Sequence, residues 1–305
     1  LVAGYTGTYD GAAHGATGSA TGVGGANLSG SLNLGASFTN VPGGTAQWTF
    51  NGGNNYVSQS GDVSITINKA NATVSVSGYT GVYNGAAHGA SGSATGVGGA
   101  PLSGLDLGAT FTDAPGGTAN WTFTGGTNYN DASGTAAIVI DKANATVNVN
   151  GYTGTFDGAA HGASGSATGV GGAPLSGLDL GATFTNAPGG TANWTFTGGT
   201  NYNNVIGSAP IVINKANATV SVNGYTGTYD NASHGASGSA KGAGGVNLSG
   251  LNLGATFTNV PGGSASWSFN GGTNYNDDNG SVGIVINKAT ASVTVSGYTG
   301  IYNGC

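Results

Sequence analysis

The chain has 305 residues, 63 of them glycine, and only five lysines and eleven aspartates carry charge, which gives a formal net charge of −6 at pH 7. In an ordinary globular domain about one quarter of the residues are charged, so this chain is unusually poor in charge. Five lysines without arginine cannot build the basic surface that binds nucleic acids or anionic membranes. We therefore exclude nucleic acid as a partner. Because no apolar run approaches about 20 residues, we also expect no membrane insertion.

The chain consists of four near-identical repeats of about 73 residues. The motif Gly-Tyr-Thr-Gly recurs from Gly4 to Gly297, and four tryptophans recur at a constant spacing. Because this period is too long for one coil of a solenoid, we expect each repeat to be a small domain. The predicted domains are 1–69, 70–142, 143–215 and 216–288, and the first of these has a shortened first strand. Residues 289–305 begin a fifth repeat.

Within a repeat, alternation of apolar and polar residues predicts strands, as the second repeat illustrates. Residues 109–112 place Phe111 inward, and 119–124 place Trp121 and Phe123 on one face. The run 137–140 is continuously apolar, which is typical of a buried strand, and 146–150 alternates again. Glycine-rich turns separate these segments, and no stretch of ten residues combines helical periodicity with freedom from glycine. Helix is therefore not expected.

Six or seven short strands per repeat predict a small β-sandwich. The expected fold class is all-β: a tandem array of four small β-sandwich domains in an extended rod. One tryptophan per repeat is predicted in each structural core: Trp48, Trp121, Trp194 and Trp267. The connection 138–149 contains no proline or glycine, so we expect little bending between neighbours. Four domains of about 30 Å would give a rod of about 120 Å.

The repeat also resembles a known family. The segments 83–90 (Tyr-Asn-Gly-Ala-Ala-His-Gly-Ala), 95–99 (Thr-Gly-Val-Gly-Gly), 127–130 (Thr-Asn-Tyr-Asn) and 213–216 (Ile-Asn-Lys-Ala) are similar to the Ig-like and MBG (YDG-type) tandem repeats of large bacterial surface adhesins. The resemblance extends over all four repeats. It implies that the domains are Ig-like β-sandwiches, with a β-grasp-like variant as the alternative. It also implies a secreted or cell-surface stalk of bacterial origin, and it implies no catalytic residues.

No constellation of side chains predicts catalysis, so we expect neither an enzyme nor a cofactor. Each repeat has one histidine, such as His88, with no second histidine or cysteine to complete a metal site, and we interpret it as structural. Asp277, Asp278 and Asn279 are candidate oxygen ligands for Ca²⁺. Because the third repeat has Asn204 in this stretch, such a site is expected at most in the fourth repeat.

The end of the chain repeats the first strand of a unit. A strand for intermolecular pairing is predicted at Ser292, Val293, Thr294, Val295, Ser296, Gly297 and Tyr298, where it would complete the first repeat of another copy. The alternative is that the chain is a window cut from a longer array. Cys305 is either a candidate for an intermolecular disulfide or an ordinary residue at the cut.

These observations predict a mechanical function: a secreted or cell-surface stalk or fibre that spaces an adhesive or other tip from the cell. The expected partners are neighbouring repeats and other copies of the chain. The alternative is a multivalent adhesin module, in which each repeat weakly holds a glycan or a host protein and repetition supplies avidity.

Overall fold

The computed structural model describes residues Leu1–Gly304, and nearly all of its regular structure is β-strand. The helices among these residues are short 3₁₀ turns of three residues each: Val23–Gly25, Ser29–Ser31, Val97–Gly99, Val170–Gly172 and Ala243–Gly245. In the second repeat this turn lies in the glycine-rich segment 96–99, where Gly98 and Gly99 have positive φ angles.

The strands follow the repeats. Those of the first repeat are β1 (Val2–Ala3), β2 (Tyr5–Thr8), β3 (Thr17–Gly18), β4 (Leu32–Asn33), β5 (Gly43–Phe50) and β6 (Gln59–Asn68). Those of the second are β7 (Thr73–Ser77), β8 (Tyr79–Val82), β9 (Ser91–Thr95), β10 (Pro101–Leu102), β11 (Leu105–Asp106), β12 (Gly116–Phe123) and β13 (Ala132–Asp141).

The third and fourth repeats have seven strands each. Those of the third are β14 (Thr146–Asn150), β15 (Tyr152–Thr155), β16 (Ser164–Thr168), β17 (Pro174–Leu175), β18 (Leu178–Asp179), β19 (Gly189–Phe196) and β20 (Val205–Asn214). Those of the fourth are β21 (Thr219–Asn223), β22 (Tyr225–Thr228), β23 (Ser237–Lys241), β24 (Asn247–Leu248), β25 (Leu251–Asn252), β26 (Gly262–Phe269) and β27 (Asp278–Asn287).

The seven strands of the second repeat form two sheets. One sheet is antiparallel with the order β10-β9-β7, and the other has the order β11-β12-β13-β8, in which β8 runs parallel to β13. The chain thus changes sheets at Gly78, between β7 and β8. A Cβ at Gly78 would collide with the carbonyl oxygen of Ala137, so glycine permits this close crossing. The third and fourth repeats have the same sheet orders.

Apolar side chains of the two sheets pack on each other to form the core. In the second repeat Val74 and Ala94 of the smaller sheet pack with Phe123 of the larger one, and Phe123 is 2% exposed. A second cluster contains Ile138 and Ile140, each 1% exposed. The predicted all-β tandem array is therefore confirmed, and two facing sheets in each of these repeats favour the sandwich over the β-grasp-like variant.

Two predicted strands differ in detail. Strand β13 is not buried on both faces: Ile138 and Ile140 are buried, whereas Val139 is 39% exposed. The reason is that only one face of its sheet covers the core, so the apolar run alternates between core and solvent. Residues 109–112 form no strand, and Phe111 makes only an isolated antiparallel bridge with His88.

The first repeat has a smaller first sheet, because β1 has two residues and pairs only with β3. The chain divides into two compact units: Leu1–Ala145 with Gly198–Asn203, and Thr146–Thr197 with the residues from Asn204 onward. The two sheets of the second repeat both lie in the first unit, and those of the fourth repeat both lie in the second.

Candidate functional site at the repeat junctions

The loop between β12 and β13 is held in a fixed shape by its own backbone and by Asp131. The Oδ1 atom of Asp131 accepts a hydrogen bond from the Gly125 N–H at 2.8 Å, and the Tyr129 N–H donates to the Gly125 carbonyl at 3.2 Å. The hydroxyl of Tyr129, which is 8% exposed, accepts the N–H of Val97 at 2.9 Å. Asn128, between these anchors, is half-buried.

Asn128 reaches from this loop into the first repeat. Its Oδ1 atom accepts the N–H of Val41 at 3.1 Å, and its Nδ2 atom donates to Oδ1 of Asn40 at 2.9 Å. Beside it, Nζ of Lys69 donates to the carbonyl of Gly126 at 2.7 Å. The amide of Asn128 is therefore satisfied on both of its polar atoms by the neighbouring repeat.

An aromatic pair adds an apolar contact to these hydrogen bonds. The rings of Tyr9 in the first repeat and Tyr129 in the second meet edge to face, with centroids 5.5 Å apart at 78°. This geometry is favourable for two aromatic quadrupoles, and such pairs contribute about 0.5–1.5 kcal/mol beyond their buried area. We call these contacts the junction clamp: Asn128 on Asn40 and Val41, Lys69 on Gly126, and Tyr9 on Tyr129.

The junction clamp recurs twice more along the chain. Residues Gly198–Asn203 make it with the second repeat, through the pairs Asn201–Ala114 (3.0 Å), Asn201–Asp113 (2.8 Å), Lys142–Gly199 (2.5 Å) and Tyr83–Tyr202 (5.5 Å between ring centroids). Within the second unit the pairs are Asn274–Ala187 (3.0 Å), Asn274–Asn186 (2.9 Å), Lys215–Gly272 (2.6 Å) and Phe156–Tyr275 (5.4 Å). The interchange of Asp113 with asparagine shows that the clamp needs an acceptor at this position and not a charge.

Backbone hydrogen bonds also fix the chain segment that joins the first two repeats. Four residues, 69–72, separate β6 from β7, and Ala70 forms a parallel bridge with Tyr129. The N–H of Ala70 donates to the Asn128 carbonyl and its carbonyl accepts the Asn130 N–H, both at 2.9 Å. The strand is therefore interrupted at the junction, but the backbone of the connection is paired.

The four predicted core tryptophans lie at the edge of the core. Trp121 is half-buried and packs against the cluster that contains the fully buried Phe123. In the register of β12 and β13 it lies opposite Gly134, and a Cβ on Gly134 would stand 2.5 Å from the indole ring. Trp48, Trp194 and Trp267 lie opposite Gly61, Gly207 and Gly280 in the same way. A glycine in the neighbouring strand thus leaves room for each indole ring.

The candidate calcium ligands are placed at the start of β27. Oδ1 of Asp277 accepts the N–H of Gly271 at 2.9 Å and closes the loop before β27, as Asp131 does in the second repeat. Oδ1 of Asp278 accepts the N–H of Asn279 at 2.9 Å. Within residues 1–304, no three His, Cys, Asp or Glu side chains are grouped as a metal site would require.

The histidines contact a tyrosine and, in three repeats, an aspartate. His14 stacks on Tyr5 with centroids 4.0 Å apart, and its Nε2 atom lies 2.8 Å from Oδ1 of Asp10. This hydrogen bond, together with one from the Ala12 N–H, lowers the pKa of Asp10 below its ordinary value. Asn84 accepts the same two contacts in the second repeat, so the carboxylate is not required for the turn.

The end of the chain makes no strand. Residues 288–304 have no assigned secondary structure, and Val293, Val295 and Tyr298 are 80%, 87% and 94% exposed. The predicted pairing strand 292–298 is therefore unpaired within this chain, and Cys305 lies outside the described residues. In the part of the chain that the structure describes, no helix is long and apolar enough to cross a membrane.

Comparisons with known proteins give only distant similarities. No protein-family model and no curated sequence matches the chain. Among solved structures, the chain is similar to immunoglobulin domains 1–5 of Sidekick-1, with 13% identity, 95% of this chain and 81% of that chain covered, and a TM-score of 0.26. It is also similar to domains 4–9 of the surface layer protein SbsC, with 13% identity, coverage of 90% and 61%, and a TM-score of 0.20.

Proposed function

We propose that this chain is a structural spacer outside the cell: a stalk or fibre segment in which tandem β-domains hold a tip away from the surface. The observation that carries this proposal is the junction clamp, which joins successive repeats through corresponding positions each time. A structural array needs a junction of this kind, because its stability and stiffness depend on contacts between nearest neighbours.

The contacts of the clamp support a restricted junction. Asn128 and Lys69 fix the loop of one repeat to the end of another, while Ala70 pairs the short connection to the same loop. A hinge would have to break these hydrogen bonds together. A chain with several such junctions can be extended by adding repeats. We propose that copies of the chain also join head to tail by strand addition. The resemblance to bacterial surface repeats supports the proposed location.

Small-angle X-ray scattering of the full chain tests this function. We expect the profile of a stiff rod with a maximum dimension of about 120 Å, since each domain should add about 30 Å. The variant N128A/N201A/N274A removes the clamping amide at three junctions and should broaden the distribution of distances while the β-sheet signal in circular dichroism stays constant. A wild-type profile typical of freely jointed domains, unchanged in the variant, would exclude the spacer.

A further inference from the structure

The turn that follows β8 in the second repeat is fixed at both ends. Tyr83 donates its N–H to a carbonyl of β13 at 2.8 Å. His88 exchanges two backbone hydrogen bonds with Phe111, both of 2.8 Å, and its ring stacks on that of Tyr79 with centroids 3.9 Å apart. Residues 84–87, between these anchors, are exposed. The turn therefore presents a fixed arrangement of groups to water.

Two donors hold the side-chain oxygen of Asn84 in this turn. Its Oδ1 atom accepts the N–H of Ala86 at 2.9 Å and lies 2.9 Å from Nε2 of His88. Because the Ala86 N–H requires an acceptor, this atom is the amide oxygen, and Nε2 of His88 must then carry a proton. Two donors on a carbonyl oxygen stabilise the negative charge that develops there when the carbon is attacked. The amide carbon of Asn84 is thus activated toward a nucleophile.

The adjacent nucleophile is the backbone nitrogen of Gly85. Within residues 1–304 the N–H of Gly85 donates to no acceptor, so no hydrogen bond has to break before it reacts. Gly85 is exposed and has a φ of +81°, and a Cβ there would meet no atom within 4 Å. A glycine also has no side chain that would hinder attack of its nitrogen on the preceding residue. The activated amide and the free nitrogen therefore belong to neighbouring residues.

Two asparagine–glycine pairs in other loops provide a comparison, because each also follows an aromatic residue: Asn51–Gly52 and Asn270–Gly271. In both, the glycine nitrogen is engaged. The N–H of Gly52 donates to Oγ of Ser58 at 3.2 Å, and that of Gly271 donates to Oδ1 of Asp277 at 2.9 Å. Gly52 is buried and Gly271 is half-buried. The same dipeptide is thus protected in these loops and open in the turn of Asn84.

We propose that Asn84 is a site of self-modification, at which the turn converts the asparagine to aspartate. The nitrogen of Gly85 attacks Cγ of Asn84 and forms a C–N bond. The bond from Cγ to Nδ2 then breaks, and Nδ2 leaves as ammonia with the proton that the Gly85 nitrogen gives up. Solvent water opens the resulting cyclic imide: addition at Cγ gives aspartate, and addition at the backbone carbonyl gives isoaspartate. His88 donates to the oxygen on which negative charge develops.

The aspartate product is the residue that the other repeats already have at this position: Asp10, Asp157 and Asp230. In each of them Oδ1 lies 2.8–2.9 Å from Nε2 of the histidine, as Oδ1 of Asn84 does now. The turn therefore accommodates the product without rearrangement. Conversion would give the second repeat the same histidine–aspartate pair and a negative charge that the unmodified repeat lacks.

Peptide mapping by mass spectrometry of the full chain, incubated at neutral pH, tests the site. In the folded chain we expect Asn84 to convert at least about tenfold faster than Asn51 and Asn270, because it alone of the three combines an extra donor with a free nitrogen. In concentrated urea the three should convert at similar rates, since their sequence neighbours are alike. Rates for Asn84 that do not exceed those of Asn51 and Asn270 in the folded chain would overturn the proposal.

A pair of variants tests the role of the histidine. His88→Phe keeps an aromatic ring to stack on Tyr79 but removes the donor, and it should slow the conversion of Asn84 about tenfold. His161→Phe is the matched control: it makes the same change in the third repeat, so Asn84 should convert at the wild-type rate. Circular dichroism checks that both variants fold. If Asn84 in the His88→Phe variant converted as fast as in the wild type, or faster, His88 would not promote the reaction and the proposed mechanism would be wrong.

Discussion

Replacing Phe123 with alanine is expected to lower the free energy of unfolding of the second repeat by about 3–5 kcal/mol. The ring is 2% exposed and lies where the two sheets meet, against Ala94 and Tyr129, so its removal leaves a cavity that the surrounding strands cannot close. Trp121→Ala should cost less despite the larger side chain, because the indole is half-buried and part of its area is already in water. Urea unfolding followed by circular dichroism measures both changes.

Phe50→Ala provides a matched control for this prediction. Phe50 corresponds to Phe123 but is only half-buried in the first repeat, where it lines a groove. Its removal should therefore cost less than that of Phe123 in a chain that is kept monomeric. If Trp121→Ala proved more destabilising than Phe123→Ala, the tryptophan and not Phe123 would be the centre of the core.

Gly116→Ala is expected to destabilise the second repeat by about 2–5 kcal/mol. Gly116 begins β12 with a φ of +87°, where an L-residue costs about 1–2 kcal/mol. In addition, a Cβ would collide with the carbonyl oxygen of Ile138 in the paired strand, and relief of such overpacking adds about 1–3 kcal/mol. Differential scanning calorimetry of the full chain should show one lowered transition for the affected repeat.

Gly98→Ala separates the conformational cost of a positive φ from the cost of overpacking. Gly98 also has a positive φ, of +67°, but a Cβ there has no neighbour within 4 Å. We therefore expect only the conformational cost of about 1–2 kcal/mol. Equal destabilisation by both substitutions would mean that the close approach of Gly116 to Ile138 does not contribute to stability.

The sequence predicted the sheets better than the packing within them. Period-two alternation predicted the strand containing Trp121 and Phe123, because the two faces of a half-buried strand differ in polarity. The same rule could not predict which of these two side chains is more deeply buried. Which aromatic ring is fully buried depends on the opposing strand, where Gly134 leaves space beside the indole. Likewise, Val139 looks like a buried residue in sequence but faces solvent.

The junction clamp could not be derived from sequence pattern alone. Thr127–Asn130 was recognisable as a repeated motif, yet the partners of Asn128 are 87 and 88 residues away in the preceding repeat. A local periodicity cannot indicate a contact between residues so far apart in the sequence. One signal was present: the lysine and the asparagine of the clamp keep a constant separation at each junction, from Lys69 and Asn128 onward. A fixed spacing between two polar residues across a domain boundary is what a conserved junction geometry requires.

Because the same clamp recurs at each junction, the stability of the array should be a sum of similar contributions. Each repeat has its own sandwich core, and each junction adds the same hydrogen bonds and one aromatic contact. Stability should therefore follow nearest-neighbour terms, as in other repeat proteins. Interchange of Asp113 with Asn40 and Asn186, and of Phe156 with Tyr9 and Tyr83, leaves the clamp geometry intact. The junction therefore tolerates substitution where the acceptor or the ring is kept.

Amide hydrogen exchange of the monomeric chain tests the clamp most directly. The N–H groups of Val41, Ala114 and Ala187 each donate to an asparagine side chain of the following repeat, whereas that of Val260 has no such acceptor among residues 1–304. We expect the first three to exchange at least about tenfold more slowly than Val260, because exchange requires the clamp to open. If all four exchanged at the same unprotected rate, the repeats would not be joined through these contacts, and the proposed spacer function would lose its support.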